Sequence, residues 1–340
     1  MLHHLGWDGA LDRALTGLTD ASDLEPARVM AVHRGRCAVT GDGLDSLLPV
    51  AGALTAAARE PSDLPTVGDW VAVAGGAVIR HVLPRRTLLA RTGEGPGREA
   101  LAANVDLCCV LTSLDQDLNV RRAERFLALA RSGGIAPLVV CTKGDRSADP
   151  IGEAARFGEA LGAETLVIST LDGWGVQALR SRFVARTTVA LVGMSGVGKS
   201  TLVNTLLGEE RQRILSVRTG DDRGRHATTH REAFVLPEGA MIIDLPGVRL
   251  PRLTDETGLD ETFADVEVLA AGCRFADCRH EHEPGCSVRA AIADGRLSPD
   301  RLASLRRLER EGRTAAQRRQ IARDAHVRYR REVRERKRAR

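Results

Sequence analysis

The chain has 340 residues, 43% of them apolar, and its 49 Lys+Arg against 45 Asp+Glu give a formal charge of +4. That apolar fraction excludes a mostly disordered chain, and no apolar run reaches the roughly 18 residues a membrane helix needs. Seven cysteines are too few for a disulfide scaffold in a chain this long. Met1–Asp20 carries acids and two histidines in place of a basic region and an apolar core, so no export signal is read and a soluble, cytoplasmic protein is expected.

The basic residues are unevenly used. Only Lys143, Lys199 and Lys337 are lysine, the other 46 being arginine, a bias that makes each lysine informative. Residues 301–340 hold 16 Arg+Lys against 5 Asp+Glu, so the tail carries +11 and residues 1–300 carry −7.

From Arg28 to about Arg91 the pattern is strand-like. Val29–Val32, Arg36–Val39, Trp70–Val73 and Ala77–Ile79 are short β-favouring runs separated by glycine-containing turns. Such runs predict a small OB-like β-barrel, with a β-rich lid as the alternative. From Leu101 to Gly247 strands alternate with helices. Strands are predicted at Val105–Leu114, Pro137–Cys141, Thr165–Ile168, Thr188–Val192, Ala233–Leu236 and Met241–Ile243. Helices are predicted at Asn119–Ser132, Ile151–Leu161, Val176–Val184 and Gly198–Leu207. This alternation implies an α/β domain with a mostly parallel sheet covered by helices on both faces. Beyond Gly247 come a Cys/His-rich patch and an Arg-rich helical stretch with Leu302, Leu305 and Leu308 on one face.

Gly193-Met194-Ser195-Gly196-Val197-Gly198-Lys199-Ser200, followed by Thr201, matches G-x-x-x-x-G-K-[ST] between a predicted strand and a predicted helix. Glycines let backbone N–H groups turn towards phosphates, the helix N-terminus adds a positive dipole end, Lys199 reaches the β/γ-phosphates and Ser200 ligates Mg²⁺. Met241–Asp244 followed by Leu245-Pro246-Gly247 is an apolar strand ending in Asp-x-Pro-Gly. There Asp244 can hold the Mg²⁺ shell and the Gly247 N–H can sense the γ-phosphate. Between them, Gly224–His230 lies in a long polar loop where Thr228 or Thr229 can reach Mg²⁺. Upstream, Thr142-Lys143-Gly144-Asp145 ends a strand, and the Asp145 carboxylate can accept hydrogen bonds from the guanine N1–H and 2-amino groups, which selects GTP over ATP. Ser169-Thr170-Leu171, at the next strand end, suits a supporting loop over the base. Base reading thus precedes the phosphate loop, the reverse of the ordinary order, so the GTPase domain reads as circularly permuted.

Cys273-x4-Cys278-x-His280-x5-Cys286 supplies three thiolates and an imidazole, enough for a closed structural Zn²⁺ site, with His282 as a competing ligand.

These features together resemble the ribosome small subunit-dependent GTPase A family (RsgA, also called YjeQ). The resemblance spans Val67–Val71, Leu83–Arg86 and Ala102–Asp106, the permuted motif order, Ser195–Ser200, Gly224-Arg225-His226, Asp244-x-Pro246-Gly247 and the four zinc ligands. It implies an OB-fold, a permuted P-loop GTPase and a C-terminal zinc-binding helical domain, with GTP and GDP, Mg²⁺, one structural Zn²⁺ and the small ribosomal subunit with its rRNA as cofactors and partners. The division expected is an extension over 1–27, the barrel over 28–95, the GTPase over 96–250, the zinc domain over 251–310 and the tail over 311–340, in a monomeric chain. The activity implied is GTP hydrolysis stimulated by the small subunit during its late maturation. Because Val248 stands where many GTPases place a water-orienting glutamine, the resemblance assigns that catalytic role to His226.

Three departures stand out. Thr142 replaces the usual asparagine, which implies a lost amide contact and weaker guanine affinity. Ala227 replaces the first of three threonines, and the tail is unusually basic. The tail reads as RNA-directed through phosphate neutralisation, with a solvated helix face and pairs such as Glu332–Arg336 as the alternative. A second functional reading is a non-enzymatic RNA-binding assembly factor with a degenerate GTP-sensing module, or a paralogous GTPase acting on another RNA.

Overall fold

Leu24–His33 (β1) is the hub of the N-terminal barrel. It pairs antiparallel with Arg36–Gly41 (β2) along one edge and with Trp70–Ala74 (β4) along the other, and β2 pairs with Leu44–Pro49 (β3). Val78–Val82 (β5) continues from β4, and a parallel bridge between Val50 and Ile79 closes the five strands into a ring. This closed, OB-like path removes sheet edges that would otherwise be exposed. The structure, a computed structural model, describes residues 1–93, 97–115, 118–208, 231–245 and 252–338.

The first twenty residues are folded onto the barrel. Gly9–Thr16 (α1) is capped by Asp8, whose carboxylate accepts from the Ala10 and Leu11 N–H groups, and Leu11 and Leu15 join Leu2, Leu5 and Trp7 around Trp70. Trp7 and Trp70 meet edge to face at 5.0 Å between ring centroids, a favoured arrangement for aromatic quadrupoles. Gly52–Ala57 (α2) follows β3. Leu88–Thr92 (β6) and Arg98–Ala103 (β7) form a separate antiparallel hairpin.

The central sheet runs Thr165–Val167 (β10), Ala136–Thr142 (β9), Leu107–Ser113 (β8), Thr188–Gly193 (β11), Met241–Asp244 (β13) and Glu232–Val235 (β12). Its first five strands are parallel, and β12 is antiparallel. Alternation along each strand divides the side chains between two cores. Cys108, Val110, Val139, Cys141, Ala190 and Val192 face one core, packed by Val120–Ser132 (α3) and Pro150–Leu161 (α4). Cys109, Leu111, Leu138, Val140, Val189 and Leu191 face the other, packed by Val176–Arg180 (α5) and Lys199–Leu207 (α6). The expected layered α/β arrangement is therefore present, and the strand cysteines are core residues. β1 meets β12 at Ala31 and Glu232, joining barrel to sheet. Arg28, 1% exposed, bridges the same junction by donating to Leu5 O and Thr188 Oγ1, both at 3.0 Å.

The C-terminal region comprises Leu259–Thr262 (α7), Ala264–Ala270 (α8), Ser287–Ala293 (α9) and Pro299–Arg338 (α10). Leu302, Leu305 and Leu308 are buried together in the first core, as their spacing predicts. Polar contacts extend this docking along α10. Arg301 donates to Glu124 at 2.7 Å, Glu311 accepts from Arg125 at 2.5 Å and from Leu253 N at 2.9 Å, and Arg323 meets Glu60 at 2.9 Å. Part of the basic tail is thus committed to acids of the same chain. The Glu332–Arg336 pair lies outside the described side chains. No helix among the described residues is long and apolar enough to cross a membrane.

Candidate nucleotide site and metal centre

Parallel α/β sheets place ligand-contacting loops at the carboxyl ends of their strands, and the motif residues gather there. Thr142 ends β9, Gly193 ends β11 and Asp244 ends β13, with Leu191 of β11 opposite Asp244 in the parallel register. Strand order also explains how a permuted sequence keeps its site. β8 lies between β9 and β11, so the loops that follow β9 and β11 lie at the same end of the sheet whichever comes first in the chain.

Gly193 to Gly198 turn sharply into α6. Gly193 has φ 149°, and a Cβ there would lie 2.6 Å from the Leu111 carbonyl oxygen; Gly198 caps the helix at φ 96°. Only glycine meets both demands cheaply. Lys199 is 7% exposed, and its Nζ donates to Gly193 O at 2.9 Å and Met194 O at 2.8 Å, which folds the amine into its own loop. Burial draws the Lys199 amine below its ordinary value, and the Asp244 carboxylate opposes this. Ser195, Gly196, Ser200 and Thr201 are exposed, Met194 is half-buried, and Val197 is buried. Ser200 and the buried Asp244 supply hard oxygen donors of the kind Mg²⁺ takes. The remaining predicted residues of this part, His226, Thr228, Thr229 and Gly247, lie outside the described residues.

The base-reading segment is tied together by contacts that single-residue reading does not reveal. Thr142 Oγ1 lies 2.6 Å from Val197 O and 3.1 Å from Thr112 O, so its one proton can serve the phosphate loop. The departure from asparagine therefore leaves a direct bond between the two motifs in place. Lys143 adopts a left-handed φ of 57°, and its Nζ pairs with Asp115 at 2.9 and 3.1 Å; Arg146 reaches the same carboxylate at 3.0 Å. The Lys143 hydrogen bond is the main cause holding the Asp115 carboxyl below its ordinary value. Ser169, fully buried, donates to Asp145 Oδ1 at 2.7 Å, while Gly144 N donates to Ile168 O at 3.0 Å. Thr170 is half-buried, and Leu171 is 83% exposed. Asp115 and Trp174, which packs over Gly144, were not signalled by any motif.

The Cys/His patch is compact. The ligand atoms of Cys273, Cys278, His280 and Cys286 all lie within 4.8 Å of one another. Cys273 Sγ is 3.9 Å from Cys286 Sγ, and His280 Nδ1 is 3.6 Å and 3.4 Å from those sulfurs. A tetrahedron with metal–sulfur bonds of about 2.3 Å and metal–nitrogen bonds of about 2.0 Å has edges of roughly 3.5–3.8 Å, so the four donors fit one metal ion. His282 is exposed and is not one of the four clustered residues. Glu283 shapes the loop: its carboxylate accepts from the N–H groups of Arg279, Glu281 and His282 at 2.8–3.0 Å. Its own backbone N–H, then that of Arg279, leads the causes that bring its carboxyl to about 2. Burial lowers His280, with Arg306 acting in the same sense, which favours the neutral imidazole a metal requires.

The model of the RsgA GTPase family matches residues 82–254. A protein of Opitutus terrae named small ribosomal subunit biogenesis GTPase RsgA is 42% identical over 335 residues, covering 93% of this chain and 91% of its own. A protein of the same name from Streptomyces coelicolor is 42% identical over 321 residues, covering 91% and 86%. Among solved structures, YjeQ from Thermotoga maritima superposes with a TM-score of 0.60 at 22% identity, covering 85% of this chain and 98% of that one. YloQ, described as a circularly permuted GTPase, gives 0.59 at 20% identity, covering 86% and 96%. At that identity the two structures speak for the fold.

Proposed function

Because this chain belongs to the RsgA GTPase family and is a GTP hydrolase, we propose that it hydrolyses GTP to GDP and phosphate while bound to the small ribosomal subunit, contacting its rRNA during late maturation in the cytoplasm. The observation that carries the nucleotide part is the Thr142–Val197 hydrogen bond, which joins the proposed base-reading motif to the phosphate loop.

Each residue then has a definite task. Backbone N–H groups of Gly193–Thr201 cradle the phosphates, and the Lys199 amine exchanges its loop carbonyls for phosphate oxygens. Asp145, held by Ser169, reads the guanine edge, and Lys143, Gly144, Thr170 and Leu171 surround the base. Ser200, Asp244 and one of Thr228 or Thr229 hold Mg²⁺, which neutralises charge on the β- and γ-phosphates when bound. Gly247 senses the γ-phosphate through its N–H, and His226 orients the attacking water, since Val248 has no group to do so. The Cys273, Cys278, His280 and Cys286 site holds one structural Zn²⁺, the soft thiolate donors matching that ion and leaving no open position.

Co-sedimentation with purified small subunits tests the ribosomal part. Binding is expected to be stronger with a non-hydrolysable GTP analogue than with GDP, and to weaken steeply with salt. Binding to large subunits equal to that to small subunits would contradict the assignment.

A further inference from the structure

Trp174 is a half-exposed indole in a protein whose other two tryptophans are buried where the N-terminal segment packs on the barrel. Its benzene edge lies over Gly144: a Cβ built at 144 would meet Cζ3 at 2.7 Å and Cε3 at 3.1 Å, with Val167 Cγ1 at 3.0 Å. Gly144 is not in the left-handed region. Packing alone therefore opposes a side chain there.

The segment that presents the indole is itself closed. Ser169 N donates to Trp174 O at 2.8 Å, and Trp174 N donates to Asp172 Oδ1 at 3.0 Å. Gly175 follows at φ 73°, where a Cβ would lie 2.1 Å from Val167 O. Ser169 and Trp174 are thus the two ends of one hydrogen-bonded loop, and each end grips the segment before α4. Ser169 holds the Asp145 carboxylate at 2.7 Å, and the indole covers the peptide one residue earlier.

We infer that Trp174 is a positioning residue for guanine recognition: its indole clamps Gly144 and so aims the Asp145 carboxylate at the base. The inference deepens the guanine-nucleotide reading and rests on it. A carboxylate discriminates by accepting from both N1–H and the 2-amino group, so it must be aimed at both donors at once. The Ser169 hydroxyl holds Oδ1 of the Asp145 carboxylate, and the Gly144 N–H bond to Ile168 O holds the backbone beside it. The indole adds a further restraint from the backbone side with a rigid side chain of few rotatable bonds.

The test is GDP, IDP and ADP binding by the full chain and by Trp174→Ala, Trp174→Phe, Gly144→Ala and the double variant Gly144→Ala/Trp174→Ala. IDP lacks the 2-amino group, so the GDP-to-IDP affinity ratio reads aim and not mere folding. Trp174→Ala is expected to weaken GDP binding by about threefold to tenfold and to shrink that ratio, and Trp174→Phe to restore most of it. Gly144→Ala is expected to weaken GDP binding alone, with little further loss in the double variant, because the methyl then enters the space the indole vacated. A GDP-to-IDP ratio unchanged in Trp174→Ala, or additive losses in the double variant, overturns the inference. Wild-type protein that binds ADP as tightly as GDP overturns the guanine reading itself, and this inference with it.

Discussion

Thr142 and Val197, 55 residues apart in sequence, are joined by a buried hydrogen bond of 2.6 Å from a hydroxyl to a backbone carbonyl. The bond fastens Thr142 to the phosphate loop, so that under the proposed function one nucleotide would meet both motifs in fixed relation. Thr142→Val keeps the shape and removes the donor, leaving a buried carbonyl with one partner fewer. We expect GDP affinity to fall by about 1–2 kcal/mol, on the order of tenfold in Kd, while Thr142→Asn, which restores the amide, keeps wild-type affinity or raises it. Calorimetric titration of the two variants checks this.

The bond was not legible in the sequence. The motif showed that Thr142 departs from asparagine, and the departure suggested a lost contact; which carbonyl a hydroxyl meets across 55 residues depends on tertiary placement. Asp115 is similar, since one acid after a strand carries no signal until Lys143 and Arg146 are seen to converge on it. What was legible follows from local rules. Strands β8, β9, β11 and β13 are short apolar runs bounded by glycine or charge, and α3 carries Ala123, Phe126, Leu127 and Ala130 at helical spacing. The strand β3 escaped notice because Leu44–Pro49 is mostly exposed and lacks a clean alternation. His280 takes a left-handed backbone, φ 59°, which no spacing announces.

Arg301 is the central polar anchor of the C-terminal helix. Its guanidinium, 5% exposed, reaches Glu124 and Asp265 and stacks over Phe263 at 4.3 Å. Arg301→Met leaves the Glu124 carboxylate buried with only the Ser304 hydroxyl beside it. A loss of about 3–5 kcal/mol of stability is expected, and Arg301→Met combined with Glu124→Gln should recover part of it. Denaturant unfolding monitored by circular dichroism measures both.

The outer part of α10 should respond to acid. Glu60 is almost fully buried, which raises its carboxyl, but the Arg98 N–H and the guanidinium groups of Arg98 and Arg323 outweigh this and hold it below its ordinary value. A carboxylate lowered in the folded state contributes stability that is complete above its unfolded pKa of about 4.3 and is lost as pH falls through the folded value. Hydrogen exchange of α10 around Arg319–Arg323 is therefore expected to accelerate below about pH 4, and Glu60→Gln to produce the same acceleration at pH 7. Exchange that is independent of pH at matched intrinsic rates would refute the contact.

Metal content gives a further check. One equivalent of zinc per chain is expected in the purified protein, with loss on acidification because thiolates must shed protons to bind. Cys278→Ser and His280→Ala should each lower zinc content and loosen the loop around Glu283, whereas His282→Ala should leave zinc content unchanged. Elemental analysis after gel filtration reads all three variants.

Action on the small ribosomal subunit, as proposed for this GTP hydrolase, is tested most directly by GTP turnover of the purified protein, alone and with small subunits, using ATP as the control nucleotide. Slow turnover alone, a large rise with small subunits, no rise with ATP, and loss of the stimulated rate in His226→Ala are expected. GTP binding without any subunit-dependent rise would contradict the proposal and point to a nucleotide-sensing module on RNA.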